Sequence, residues 1–214
     1  MSHSIHENIK LIQSEIGNTE LVVVSKYRSL PELQEVYDSG HRHFGENRVQ
    51  ELVDKYTELP KDINWHVIGH LQTNKVKYIA PFVHLIHSVD SLKLLKAINK
   101  EAEKAGRVIP FLFQLHIAEE ESKYGLSAAD LGNILSSDEY RLLTNVICKG
   151  LMGMATNTDN MQQIADEFNA LKSLYDVYAV HQNFDTLSMG MSGDYTIAVS
   201  KGSTMVRVGS KIFL

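Results

Sequence analysis

Leu21-Val22-Val23-Val24-Ser25-Lys26 is a short apolar run that ends in a lysine. Leucine and three consecutive valines read as a strand covered on both faces, because branched side chains fit a pleated, fully buried surface. Strands buried on both faces belong to parallel sheets sandwiched by helices. The lysine is the informative residue. An ammonium group is costly to bury without partners, so at the C-terminal end of such a strand it emerges into a site or into water. Burial lowers a lysine pKa, and a neutral amine can condense with an aldehyde. Taken alone, Lys26 is most simply a strand end that reaches solvent.

Working outward, short apolar runs alternate with longer amphipathic stretches. Strands are expected at 21–25, 43–45, 65–69, 84–87, 109–117, 146–154, 187–191 and 205–208. Helices are expected at 31–37, 48–59, 72–80, 91–105, 127–136, 158–175 and 195–200. Pro31 suits a first helical turn, Gly106 a helix end, and Ser127 with Asp130 a capping arrangement. Eight strands alternating with helices imply parallel pairing, since each crossover helix returns the chain to the same end of the sheet. Such a series in 214 residues predicts an α/β fold, a single (β/α)8 TIM-type barrel. A doubly wound open sheet is the competing architecture. No linker-like segment interrupts the chain, so one domain over 1–214 is expected. Ile5, Ile9, Ile12 and Ile16 share one helical face, which makes 1–20 an extra N-terminal helix packed on the barrel.

Composition narrows the function classes. The formal net charge is −5, which argues against a general nucleic-acid binder. No apolar run is long enough to span a membrane. The polar segment 1–20 lacks the form of a signal peptide. The one cysteine, Cys148, cannot form an internal disulfide, and a cytoplasmic protein is expected. Ten histidines are scattered along the chain. His41 and His43 share a strand face but lack a convincing third ligand, so no metal site is assigned.

In a barrel, chemistry collects where strands end. Polar residues stand there in this chain: Ser25-Lys26, Gly45-Glu46-Asn47, His66, His116, Met154, Ser192 and Arg207-Val208-Gly209-Ser210. Singly each has an ordinary reading, such as a helix cap for Asn47 or a hydrogen-bonded core histidine for His66. The last two strands are sharper. Ser192-Gly193-Asp194 leads into a helix and Gly209-Ser210 follows the final strand. A hydroxyl with backbone N–H groups makes an anion site, and barrels often hold phosphate in these two loops. Gly209 lets backbone approach a ligand closely. A phosphate on one side of the mouth and Lys26 on another are two anchor points for pyridoxal 5′-phosphate (PLP).

The same residues carry a family resemblance. Val23-Val24-Ser25-Lys26, Phe44-Gly45-Glu46-Asn47-Arg48-Val49-Gln50-Glu51, Trp65-His66-Val67-Ile68-Gly69-His70-Leu71-Gln72-Thr73-Asn74-Lys75, Glu121-Ser122-Lys123-Tyr124-Gly125, Gly150-Leu151-Met152-Gly153-Met154, Leu187-Ser188-Met189-Gly190-Met191-Ser192-Gly193-Asp194 and Gly202-Ser203-Thr204-Met205-Val206-Arg207-Val208-Gly209-Ser210 resemble the PLP homeostasis proteins of the alanine-racemase-like fold. The resemblance implies a PLP-binding barrel. It implies Lys26 as Schiff-base lysine, Ser192, Gly209 and Ser210 as phosphate ligands, and Arg207 as partner of the pyridine nitrogen. It also implies that Asn47 and Met154 line the cofactor, with His66 close behind. One departure stands out: Leu115-His116 replaces the family's usual Val-Asn, so a changed pocket floor is expected.

Racemisation on PLP takes two bases on opposite faces of the cofactor. Lys26 can be one. In two-domain racemases of this fold the other is a tyrosine from a separate domain, and the sequence ends just after the eighth strand. Arg207 beside the ring nitrogen disfavours a protonated pyridinium, which weakens the ring as an electron sink. The expectation is therefore a monomeric carrier and regulator of PLP (vitamin B6) and amino-acid balance, with no residue assigned a catalytic role and PLP-requiring apo-enzymes as candidate partners. The alternatives are a slow amino-acid racemase, with His66, His116 or water as second base, and a sugar-phosphate or metal-dependent barrel enzyme.

Overall fold

Eight strands form a closed barrel in sequence order: β1 (Glu20–Val24), β2 (His43–Glu46), β3 (Asn64–Val67), β4 (Leu85–Val89), β5 (Ile109–Leu115), β6 (Val146–Gly153), β7 (Thr186–Ser188) and β8 (Met205–Val208). Every pair is parallel, and β8 returns to β1 with Val22 opposite Arg207 and Val23 opposite Val208. The structure is a computed structural model that describes residues 4–120 and 124–213. Glu121, Ser122 and Lys123 of the quoted motifs lie outside the described residues.

The helices are α1 (Ile5–Ile16), α2 (Leu30–Asp38), α3 (Val49–Glu58), α4 (Val76–Ile79), α5 (Leu92–Lys104), α6 (Ala128–Ser136), α7 (Asp138–Arg141), α8 (Met161–Gln182) and α9 (Tyr195–Ser200). Local chemistry starts several of them. Ser4 with Glu7, Ser29 with Glu32 and Ser127 with Asp130 each form a reciprocal capping box, which satisfies two otherwise orphaned N–H groups. α1 buries Ile9, Ile12 and Ile16, and its Asn8 donates to the Ile212 carbonyl at 3.1 Å.

Two apolar layers result. The larger lies between the strands and the helices and includes Val23, Phe44, Trp65, Ile86, Phe111, Leu151 and Val206. The smaller is inside the barrel: Val22, Leu85, Leu112, Met152 and Met205. Period-two alternation assigns side chains to one layer or the other.

The structure departs from the expected element bounds where backbone geometry intervenes. β7 stops at Ser188 instead of reaching Met191, because Gly190 turns the chain with φ +99°. A Cβ there would lie 2.6 Å from that of Ala198. β3 ends before Gly69, which packs against the Asn47 backbone so closely that a Cβ would meet the Asn47 carbonyl oxygen at 2.5 Å. α8 runs seven residues past Tyr175 to Gln182; its last turns expose Val177 and Val180, so no apolar stripe marks them. The 72–80 segment begins as a 3-10 turn before α4, and α7 was not anticipated.

Candidate functional site

The C-terminal ends of β1 and β2 are clamped together beneath Lys26. Ser25 N–H donates to the Gly45 carbonyl at 2.8 Å, and its hydroxyl lies 2.8 Å from Glu46 Oε2. Glu46 is fully enclosed and pairs with Lys55 of α3 at 2.6 Å. Lys55 Nζ also donates to the Ser25 carbonyl at 2.8 Å. The second Glu46 oxygen accepts from Asn47 N–H at 2.8 Å. One buried ion pair thus fixes the backbone carrying both Lys26 and Asn47. Tyr27 follows Lys26 with φ +61°, a left-handed conformation that costs a non-glycine residue about 1–3 kcal/mol. It turns the chain sharply at the mouth, and Lys26 stands exposed there.

Beside β1, where β8 closes the barrel, Gly209 N–H donates to Ser192 Oγ at 3.1 Å, tying the loop after β7 to the loop after β8. Among the described residues, the N–H groups of Ser192, Gly193 and Ser210 meet no protein acceptor. Clustered backbone donors beside a hydroxyl form an anion-binding concavity. Gly209 packs tightly here, since a Cβ would sit 3.1 Å from the Val24 Cβ.

Arg207 on β8 is buried. Its guanidinium donates to Ser188 Oγ at 2.5 Å and to the Gly153 carbonyl at 3.1 Å. The Asp194 carboxylate acts on it electrostatically and favours its charged form. Burial lowers its pKa to about 10, so it stays charged at neutral pH. A guanidinium has five N–H donors, and two are engaged.

These three groups share one cavity of about 520 Å³, a size that suits a small-molecule ligand. Lys26, Asn47, Met154, Ser192, Arg207, Gly209 and Ser210 all line it. His66 does not. It stands one tier deeper inside the barrel, with Nε2 3.0 Å from His43 Nδ1 and Nδ1 2.9 Å from His87 Nε2. Ile68, two residues on, takes the lining position, as strand periodicity requires. His66 reaches the site only through His87, whose Nδ1 is 3.1 Å from the Ser188 hydroxyl that Arg207 also contacts. Burial holds His66 and His87 well below the usual imidazole range. His116 also lies away from the cavity: its Nε2 is 3.0 Å from the Glu120 carbonyl. Gln114, not His116, supplies the floor. A larger cavity of about 970 Å³, between the β5–α6 connection and α8, includes His116 but none of the lining residues of the barrel mouth.

The alanine racemase N-terminal domain family matches residues 2–214. A pyridoxal phosphate homeostasis protein of Vibrio alginolyticus is 34% identical over 227 residues, covering 98% of this chain and 97% of that protein. Another, from Aquifex aeolicus, is 40% identical over 185 residues, covering 85% and 80%. The chain belongs to the pyridoxal phosphate homeostasis protein family. The structure of PipY of Synechococcus elongatus with PLP bound superimposes with a TM-score of 0.89 at 32% identity, covering 99% of this chain and 100% of that one. Alanine racemase from Bartonella henselae shares the barrel at 14% identity, with a TM-score of 0.75 and coverage of 98% and 58%.

Several lining residues escaped the sequence reading. Tyr124 and His70 stack with ring centroids 4.1 Å apart at 18°, and His70 Nδ1 is 3.3 Å from Asp90. Both rings line the cavity, as does Gln114, which donates to the Tyr124 carbonyl at 2.8 Å. The motifs that signalled the family contain Tyr124 and His70, but nothing local ties either to the cavity.

Proposed function

We propose that this chain binds PLP as a Schiff base on Lys26 and acts in intracellular PLP (vitamin B6) and amino-acid homeostasis as a carrier or regulator. The observation that carries this reading is one cavity presenting an exposed amine, a buried guanidinium with donors to spare, and a nest of free N–H groups beside a serine. Those features fit the cofactor's aldehyde, ring nitrogen and phosphate. Bound PLP supplies an aldehyde that takes up primary amines and a ring that withdraws electrons.

The residues divide the work. Ser192 and the N–H groups of Gly193 and Ser210 bind the phosphate, with Gly209 giving the backbone room. Arg207 donates to the ring nitrogen. Asn47 and Met154 position the ring against Lys26. A permanent cation at the ring nitrogen disfavours its protonation, which supports holding and release over turnover. The reading extends to a single cytoplasmic domain acting as a monomer that delivers PLP to apo-enzymes. No helix among the described residues is long and apolar enough to cross a membrane.

A slow racemase is the second reading. Its support is the His70–Tyr124 pair, which places titratable groups in the same cavity as Lys26. Purified protein with added PLP should absorb in the visible as an imine and lose that band on borohydride treatment or in Lys26→Ala. A protein that takes up no PLP ends the proposal. Chiral analysis of amino acids incubated with the loaded protein separates the two readings, and turnover well above that of free PLP selects the racemase.

A further inference from the structure

The opposite end of the barrel carries a second group of ligand-type side chains. His43 opens β2, His66 lies within β3, and His84 immediately precedes β4. Parallel pairing brings them together from three strands that are separate in sequence: His43 lies opposite Asn64, and His66 opposite Leu85. Nδ1 of His43 is 3.0 Å from Nε2 of His66, and the ligand nitrogens of His43, His66 and His84 all lie within 4.8 Å of one another. Nδ1 of His43 is also 2.8 Å from Glu20 Oε1. His41 is turned away and tied to the His43 carbonyl at 2.8 Å.

Hydrogen bonding accounts for one of the two contacts of His43 Nδ1, since the His43–Glu20 bond holds the Glu20 carboxyl below its usual range, but not for both at once. A neutral imidazole has one proton, yet His43 Nδ1 faces both the Glu20 carboxylate and His66 Nε2. His66 has its other nitrogen, Nδ1, within 2.9 Å of His87 Nε2. With that nitrogen protonated, the Nε2 lone pair points toward His43. In the His43 form protonated on Nε2, lone pairs of two imidazoles and a carboxylate converge, with a third imidazole nitrogen within 4.8 Å. A cation at their meeting point satisfies all of them.

We propose that His43, His66 and His84, with the Glu20 carboxylate, form a binding site for a divalent metal ion of the zinc class at the N-terminal end of the barrel. Imidazole nitrogen and carboxylate oxygen are the donors that such ions take in tetrahedral geometry. Nitrogens bound at about 2.0–2.1 Å at the tetrahedral angle lie about 3.3–3.4 Å apart. The His43–His66 separation is within a few tenths of an ångström of this, and the His84 ring, packed 5.5 and 5.2 Å from those of His43 and His66, has to rotate to bring its nitrogen in from within 4.8 Å. The outer shell is already built. With His66 protonated on Nδ1, that nitrogen donates to His87 and His87 leads on to Ser188, which orients a ligating imidazole as metal sites require. His43 Nε2 lies 3.2 Å from Asn64 Nδ2; a flip of that amide would present its oxygen to the Nε2–H once Nδ1 is on the metal. Surface cavities reach the cluster from two sides, one lined by Glu20 and His84 and the other by Glu20 and His43.

The test uses untagged full-length protein, stripped with chelator and dialysed against zinc. Metal content is measured by mass spectrometry and affinity by competition with a chromophoric chelator. One zinc per chain is expected. His84→Ala removes an exposed ring and leaves the fold intact, as circular dichroism verifies. It should weaken zinc binding by more than the about 10–100-fold that loss of an outer-shell partner costs. Glu20→Gln should weaken it to a smaller extent. His181→Ala, at the exposed end of α8, should change nothing. Substoichiometric zinc in the wild type, an unaltered affinity in His84→Ala, or an equal loss in His181→Ala would overturn the proposal. It does not rest on PLP binding, since the two sites lie at opposite ends of the barrel and each is read by its own signal.

Discussion

Replacing Lys55 by Met isolates the buried charge that holds the mouth of the barrel. The substitution keeps most of the side-chain volume but removes the ammonium 2.6 Å from Glu46 Oε2. The carboxylate, with no exposed surface, is left with only the Ser25 hydroxyl and Asn47 N–H as donors. Stripping one partner from a buried ion pair costs about 3–5 kcal/mol. In a domain of this size each kcal/mol lowers the melting temperature by about 2–4 °C, so a fall of about 6–20 °C is expected. The double variant Glu46→Gln/Lys55→Met should be more stable than Lys55→Met alone, because a neutral amide oxygen still accepts from Ser25 and Asn47. The coupling in the cycle should be about 0.5–3 kcal/mol. Urea unfolding followed by circular dichroism measures all four proteins. The Ser25 carbonyl and the Asn47 backbone lose their anchor at the same time, so PLP uptake by Lys55→Met should weaken in parallel. A Lys55→Met variant within about 0.5 kcal/mol of wild type, or strictly additive variants, would refute the assignment of this pair as the clamp.

Three further outcomes are expected. Gly69→Ala drives a Cβ to 2.5 Å from the Asn47 carbonyl oxygen and 2.8 Å from its Cα; overpacking against backbone should cost about 1–3 kcal/mol and weaken PLP binding, both measured by titration of thermal shift with PLP. Arg207→Met deletes charge-assisted donation to the ring nitrogen, worth about 1.5–3 kcal/mol, so the PLP dissociation constant should rise about 10–150-fold; an unchanged constant by absorbance titration argues against that contact. Burial pushes the Cys148 thiol up to about 12, while an unfolded cysteine titrates near 8.5–9. The unfolded chain therefore releases this proton first, and stability falls as pH rises through that interval, by up to about 1.4 kcal/mol per unit. Urea midpoints at neutral and alkaline pH should drop further for wild type than for Cys148→Ala, and equal drops would count against a buried, protonated thiol.

Much of the lower end of the barrel was invisible in the sequence for one reason. His43 and His66 are separated by a helix and a turn, and His84 by a further crossover. Only the register of β2, β3 and β4 places their nitrogens together. The same holds for Lys55, which reads as an ordinary polar position on α3 until β1 and β2 bring Ser25 and Glu46 beneath it. His66 and His116 looked like site residues because they sit near strand ends in sequence. Strand phase sets the first one tier below the cavity, behind its lining, and the second meets the Glu120 carbonyl outside it.

Local chemistry was enough to announce the alternation of strands and helices. Branched apolar runs, serine capping boxes and strand-end polar residues each express their preference within a few positions, and Lys26, Ser192, Arg207 and Gly209 could be picked out on that ground. Closure of β8 onto β1, the convergence of those residues on one cavity, the tier at which each inward side chain stands, and the meeting of Glu20 with the histidines depend on contacts between residues far apart in the chain. Only the folded barrel sets those distances, because a shift of register by one residue would move every side chain of a strand to the other face.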